Sequence, residues 1–449
     1  MITCSIIKKS QLEGVLRLDA EYYQPEYLQS KNLLLKSKPV LLKDVAVITT
    51  GSAYSSEEIG ESFDLPIARI GDVVNKIENN NWIKLSDREF KKFHSRKIKD
   101  KDILLSMTGD PPDVGKCNLI TFKNDEVFAF NQRVAKLTAK INPHYLFAYL
   151  STEIARLQTE RNALGIRQRN LGIDDLRNTL IFVPGKQNQE LVSGIIKNYL
   201  SELENSKLFY SQAENLLLDE LGLKDFENEE SLFNIVNISE VKKINRIDAD
   251  YFQPEFYKTF EKIEKYKNGY SLVGKEFNQL KGNFKKEKEK LYNYIEISDV
   301  DISNGAVNYN QLQGEELPAN AKIKFGARQL ITSKVRPNRG ATAILENHNG
   351  FIGSGAFVCL TERGKFNLET LQVYLKTKII RNLLLRYNTG TSYPVINDED
   401  ILNLKIPIVK IEIQQKIADL VKKSHQARKK AKELLEEAKT KVEKLIENK

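Results

Sequence analysis

Short apolar runs and longer helical stretches alternate along this chain, and the alternation happens twice. Leu65–Val73, Ile103–Met107, Leu119–Phe122 and Val127–Leu137 are brief, apolar and bounded by Gly, Pro, Asn or Asp, which predicts strands joined by turns. A second set, Tyr292–Val300, Gln329–Lys334, Ala341–Leu345 and Phe351–Leu360, repeats that texture. Each set is followed by apolar residues at helical spacing, such as Leu146, Leu150, Ile154 and Leu157. This spacing predicts helices over Pro143–Arg161 and Leu368–Arg386. Beyond Pro184 and Pro407 the pattern becomes unbroken helix. Alternate steps of four and three from Val192 meet Ile196, Tyr199, Leu203, Ser206, Tyr210, Ala213 and Leu217. From Ile413 they meet Ile417, Leu420, Ser424, Ala427, Ala431, Leu434, Ala438, Lys441 and Leu445. Both are heptad seams with small residues near the centre, where two helices approach closely.

The alternation reflects an internal repeat. RLDAEYYQPEY at 17–27 returns as RIDADYFQPEF at 246–256, with Arg17, Asp19, Ala20, Tyr22, Gln24, Pro25 and Glu26 answered by Arg246, Asp248, Ala249, Tyr251, Gln253, Pro254 and Glu255. Leu146, Tyr149, Leu150, Thr152, Ile154 and Arg156 likewise return as Leu371, Tyr374, Leu375, Thr377, Ile379 and Arg381. Gly165 answers to Gly390 and Pro184 to Pro407. Between Gly51 and Thr138 the copies share little beyond Ile70–Val73 and Ile297–Val300. One scaffold thus carries two different middles, the arrangement expected of two related but distinct specificities.

The expected fold class is α+β: two repeated mixed α/β globules alternating with two long helices. The boundaries read as 1–184, 185–229, 230–407 and 408–449. If the first helix leads from globule one to globule two and the repeats are related by a pseudo-two-fold, the second runs back, giving an antiparallel coiled coil. At 1.5 Å per residue each helix is about 50 Å long, enough to hold two heads a turn or more of duplex apart. The plainer reading of such seams is a dimerisation stalk.

Composition narrows the setting. No apolar run reaches the eighteen or so residues of a membrane span, and the start MITCSIIKKS has no signal-peptide core. Cys4, Cys117 and Cys359 are odd in number and far apart, which speaks against a disulfide framework or zinc site and for a reducing cytoplasm. His94, His144, His348 and His425 are scattered, so no metal ligand set or histidine-based catalytic cluster emerges. Lys and Arg exceed Asp and Glu by 69 to 60, a mild excess compatible with a polyanionic partner but not diagnostic of one.

Catalytic motifs fail on context. Asp110-Pro111-Pro112 resembles the start of the Asp/Asn-Pro-Pro-aromatic motif of amino-methyltransferases, but Asp113 stands where the aromatic is needed. Phe351-Ile352-Gly353-Ser354-Gly355 resembles their cofactor motif, yet it lies in the other copy. Aligned with Val335-Arg336-Pro337 and with 128–137 respectively, the two fragments read as a turn and a strand. No P-loop occurs, and no acidic pair of nuclease type. Basic residues are more suggestive. Copy one carries Arg88, Lys91, Lys92, Arg96 and Lys97, with Arg167 and Arg169 in the loop that closes the globule. Copy two carries Lys285 and Lys286, then Arg328, Lys334, Arg336 and Arg339. Long cations in loops suit phosphate contact, and Arg or Gln can read guanine or adenine edges. A solvated lysine-rich surface is the alternative for each. The opening motif, with Arg17 and Arg246 beside Asp19 and Asp248, reads equally as structural or as a docking surface for two identical partners.

Taken together, LPIARIGDV at Leu65–Val73, DILLSMT at Asp102–Thr108, Tyr393–Asn397 after Thr389-Gly390-Thr391-Ser392, and Ile406-Pro407 before Gln414-Gln415-Lys416-Ile417 resemble the specificity subunit of a type I restriction-modification system. The resemblance covers essentially the whole chain, with a departure at Leu164-Gly165-Ile166-Arg167-Gln168, where copy one lacks Gly-Thr-Ser. It implies a non-catalytic reader of double-stranded DNA. Each variable domain recognises half of a bipartite, asymmetric site and the helices fix the gap. Two methyltransferase subunits dock on the scaffold, bring S-adenosylmethionine and flip the target adenines, and restriction subunits using ATP join them. No cofactor is expected on this chain itself. Three alternatives stay open: a coiled-coil protein-interaction adaptor without DNA specificity, a degenerate or split methyltransferase that binds S-adenosylmethionine itself, and the recognition subunit of a related restriction system.

Overall fold

The computed structural model describes residues 5–8, 12, 17–60, 62–74, 82–92, 97–109, 113–121, 129–165, 168–224, 226, 233–282, 284–302 and 305–448. They form two units, Met1–Glu202 with Lys429–Lys449, and Leu203–Arg428. Unit 1 holds a four-stranded antiparallel sheet in the order Ala46–Thr50, Val134–Ala139, Ile103–Ser106, Cys117–Leu119. Unit 2 repeats it as Phe277–Leu280, Phe357–Glu362, Gln329–Ser333, Thr342–Leu345. A second, mixed sheet accompanies each. In unit 1 its one parallel pairing joins Leu65–Ala68 to Ala129–Phe130, and in unit 2 it joins Leu291–Ile295 to Ile352–Ser354. The mixed α+β class and the two-copy layout expected above are those of the fold.

Two refinements concern single runs that proved to be two elements. Val127–Leu137 and Phe351–Leu360 were each expected as one strand. Among the described residues the first contains Ala129–Phe130 and the start of Val134–Ala139, and the second contains Ile352–Ser354 and the start of Phe357–Glu362. The helix expected over 143–161 is likewise two helices, Pro143–Leu150 and Glu153–Asn162, and its counterpart is Leu368–Lys376 and Lys378–Leu384. The threonine shared by both copies causes the break. Thr152 accepts from the Ala155 amide at 3.3 Å and Thr377 from the Ile380 amide at 3.4 Å, each starting a new helix as its N-cap.

The repeated tyrosine fastens this helix pair to the rest of its unit. Tyr149 and Tyr374 are buried, and their hydroxyls donate to the carbonyls of Leu180 (2.8 Å) and Lys405 (2.6 Å). A repeated glutamine then positions the start of each long helix. Gln189 Nε2 donates to the Pro184 carbonyl and its Oε1 accepts from the Asn142 amide, while Gln414 makes the same pair of bonds to Val409 and Asn367. Asn142 and Asn367 in turn cap the helices that follow them.

The long helices span Lys186–Leu221 and Ile411–Glu447. Each contributes part of its length to each unit. Within unit 2 they run antiparallel: Ser206 Oγ lies 3.1 Å from Ser424 Oγ, Ser424 Oγ donates to the Ser206 carbonyl at 2.7 Å, and Glu220 feels the charge of Lys410. Within unit 1, Lys430 pairs with Glu202 at 2.9 Å. The expected seam residues from Val192 to Leu217 are buried, apart from half-buried Leu203. Past Ala438 the seam departs from the heptad: Lys441 is exposed, and Val442 and Ile446 are buried instead. A straight helix of 3.6 residues per turn drifts off a 3.5-residue repeat, so the buried face moves on by one position.

Candidate nucleic-acid interface

The opening motif folds the same way in both units. Arg17 grips Asp19 with two bonds, Nε to Oδ1 at 2.9 Å and Nη2 to Oδ2 at 2.6 Å, and Arg246 grips Asp248 at the same two distances. These hydrogen bonds hold both aspartates below their ordinary pKa. Each guanidinium lies over the motif tyrosine, 4.3 Å from Tyr22 and 4.6 Å from Tyr251. A second arginine lies over the same rings, Arg161 at 4.0 Å and Arg386 at 4.3 Å. The motif therefore clamps the start of each copy onto the helix near its end. Its charges are occupied, whereas Leu18 and Ile247 at equivalent positions are 80% and 89% exposed.

The closing loops also share a frame. In unit 2, the Thr389 amide donates to the Val395 carbonyl at 2.9 Å, Val335 bridges Val395, and the Arg336 amide donates to the Pro394 carbonyl at 2.7 Å. In unit 1, Leu164 and Asn170 exchange backbone bonds at 2.9 and 2.8 Å, and Thr108–Gly109 pairs with Arg169–Asn170. Ser106 Oγ donates to the Thr108 carbonyl and Ser333 Oγ to the Val335 carbonyl, both at 2.8 Å. These bonds make Thr108 the equivalent of Val335 and Gly109 that of Arg336, two residues away from the alignment of Asp110 with Val335. Asp110, Pro111 and Pro112 themselves lie outside the described residues. The shared glycine is required by contact: a Cβ on Gly165 would meet the Gln168 carbonyl oxygen at 2.2 Å, and one on Gly390 the Tyr393 oxygen at 2.1 Å.

The candidate cations fall into groups. Arg88 pairs with Glu58 and Lys91 with Asp87, and both cations are exposed. Lys97 is half-buried with its ammonium 5.6 Å from the Phe90 ring. Arg169 is mostly covered and reaches the Glu160 carbonyl and the Glu21 carboxylate. Lys286 donates to the Leu317 carbonyl at 2.9 Å, and Lys334 to Asp398 at 2.5 Å. Arg328 is held by Glu362 at 2.8 Å, Glu369 at 2.7 Å and Glu346 at 3.6 Å, and against the opposing effect of burial Glu369 and Glu362 raise its pKa. Arg96, Arg167 and the side chain of Lys92 lie outside the described residues. Among the described residues, exposed Lys285, Arg336 and Arg339 make no ion pair.

Arg336 and Arg339 are brought together on the turn Pro337–Arg339, which Arg381 braces through the Asn338 carbonyl at 3.3 Å. The Arg336 guanidinium lies 5.4 Å from the ring centroid of Tyr393, which is 46% exposed. Sequence reasoning included Arg336, Arg339 and the Arg167-Gln168-Arg169 set but passed over Tyr393 and Asn338 as contact residues. The shared glycine was the available signal, since it marks Tyr393 and Gln168 as the same position of one turn.

The cations held by carboxylates have structural work. Arg328→Ala is expected to lower stability by roughly 3 kcal/mol, within the range of about 3–5 kcal/mol for breaking a buried pair, because it takes the nearest cation from the buried Glu369. Lys422, 4.0 Å from that carboxylate, keeps the loss in the lower part of the range. A thermal melt of the full chain checks this; an unchanged midpoint would free Arg328 for an external anion.

The family model described as "Type I restriction modification DNA specificity domain" matches the chain twice, at residues 36–209 and 272–439. The chain belongs to this family. Solved structures to which it is similar include a type I restriction-modification S subunit from M. genitalium, at 14% identity over 91% of this chain and 94% of that one, with a TM-score of 0.39. Another is an HsdS subunit from Thermoanaerobacter tengcongensis, at 14% identity over 91% and 96%, with a TM-score of 0.28. The assignment rests on the family match. As a type I specificity protein, the chain is a DNA-recognition subunit. Both closing loops fall inside the matched segments, while the opening motifs at 17–27 and 246–256 fall outside them. No helix among the described residues is long and apolar enough to cross a membrane, and no group of His, Cys, Asp or Glu among them is arranged to hold a metal ion.

Proposed function

We propose that this chain is the non-catalytic specificity subunit of a type I restriction-modification complex, with each unit reading one half of an asymmetric, bipartite duplex site. The observation that carries this reading is the double family match on two units that share sheet order, clamps and loop frame but differ in their exposed side chains. A repeated frame with unlike contact residues suits two unlike half-sites. The long helices set the gap between them. Two methyltransferase subunits dock on the repeated scaffold, for which the equivalent exposed residues Leu18 and Ile247 are candidate contacts. They supply S-adenosylmethionine and flip the target base, since chemistry on a base requires its removal from the stack. ATP is used by restriction subunits in the same assembly.

The test is a genome-wide map of N6-methyladenine in cells with the gene intact and deleted. The expected result is loss of one gapped, bipartite motif with all others unchanged. Retention of every motif would overturn the reading.

A further inference from the structure

Resting on that reading, we infer that the turn closed by Gly390 is the base-reading tip of unit 2, with Arg336, whose guanidinium lies over the Tyr393 ring, as the reader. The frames are the same: a glycine pressed against the carbonyl three residues on, a backbone-bonded loop, and a short segment paired to it. The tips differ. Unit 2 displays Arg336, Asn338, Arg339, Ser392 and Tyr393, all exposed, whereas the equivalents of Arg336 and Tyr393 in unit 1 are Gly109 and exposed Gln168.

Three observations single out Arg336. Among the described residues its guanidinium has no carboxylate partner, unlike Arg328 and Lys334 nearby. Its backbone is left-handed, at φ 51°, a conformation a non-glycine residue adopts only when its surroundings impose it. Here the Pro394 carbonyl and the Val335–Val395 bridge do so. Finally, its guanidinium lies 5.4 Å from the Tyr393 ring centroid, a cation–π contact that restricts its freedom before any ligand arrives. An exposed guanidinium with no carboxylate partner among the described residues suits the N7 and O6 acceptors of guanine in the major groove. The unit 2 half-site therefore contains a G·C pair read by Arg336.

The test is selection from a pool of random duplexes with the full chain, tagged and purified from its native cells with the subunits that accompany it. Arg336→Gly, which installs the residue of the other copy and relaxes the backbone, should abolish a guanine preference of roughly 5- to 150-fold at one position of one half-site. The other half should be untouched. Tyr393→Ala should weaken the same position and Tyr393→Phe should retain it. An unchanged motif in these variants would overturn the assignment. So would an even loss of affinity across all sequences, which marks a phosphate contact, or a change in both halves from one substitution. A wild-type complex that enriches no motif would overturn the DNA reading itself and this assignment with it.

Discussion

Replacing Tyr374 with alanine is expected to destabilise unit 2 by about 4–6 kcal/mol, and Tyr149→Ala should do the same to unit 1. Two losses combine. The ring is among the largest fully buried side chains of its unit, and truncating a buried aromatic to alanine costs about 3–5 kcal/mol. The hydroxyl donor to the Lys405 carbonyl, or to that of Leu180, is lost as well, a further ~1 kcal/mol. Burial raises the pKa of both phenols far above the ordinary value, so they remain protonated donors throughout the usable pH range. Against a typical domain stability of about 5–15 kcal/mol, such a loss leaves the unit close to unfolding at ambient temperature. Tyr374→Phe isolates the hydrogen bond and should cost only about 1 kcal/mol. Hydrogen exchange on the full chain is the measurement. In Tyr374→Ala, the amides of Phe357–Glu362 and Gln329–Ser333 should lose protection first, and in Tyr149→Ala those of Val134–Ala139 and Ile103–Ser106. Wild-type protection in both variants would show that the helix pairs are not what holds the sheets.

Features that depend on local pattern were legible in the sequence, and those that depend on distant partners were not. The heptad positions from Val192 to Leu217 could be read because a helical face is a matter of spacing alone. The same rule failed at Lys441, where one more heptad step ignores the drift of a straight helix and Val442 takes the buried place. Thr152 and Thr377 were visible as a repeated pair, yet they were read as interior positions of one helix rather than as the caps that divide it. At the candidate interface the limit was charge pairing. Arg328 and Arg336 are both arginines of the same basic loop region in the sequence. Only the fold brings Glu346, Glu362 and Glu369 around the first and leaves the second against Tyr393. Residue type gave the chemistry each could perform, and three-dimensional pairing decides which of them is available to perform it.

Lys376→Met is expected to stabilise the chain at neutral pH and to abolish one component of its pH dependence. Lys376 is buried at the end of Leu368–Lys376, and burial pushes its pKa down from 10.5 to about 7. Its ammonium donates to the Ile302 carbonyl at 2.7 Å and lies 5.4 Å from the Tyr210 ring. Asp301 and Glu214 favour its charged form, and Arg381 and Arg428 oppose it. The attraction is spent in part elsewhere, since Asp301 pairs with Arg428, and burial holds Glu214 itself above the ordinary carboxylate range. A folded-state pKa below the unfolded one means that the unfolded chain binds more protons between about pH 7 and 10.5. Stability contributed by this group therefore rises with pH across that window and is lowest, and constant, below it. Each unit of separation corresponds to about 1.4 kcal/mol, so a neutral side chain of similar length should recover several kcal/mol at pH 7, less the hydrogen bond to Ile302 at about 1 kcal/mol. Thermal melts of wild type and Lys376→Met from pH 6 to pH 9.5 provide the check. The variant should melt higher at pH 6–7, and the two should converge as the pH rises. A constant difference across the range would mean that Lys376 is as fully protonated in the fold as in the unfolded chain, its burial compensated by Asp301 and Glu214 after all.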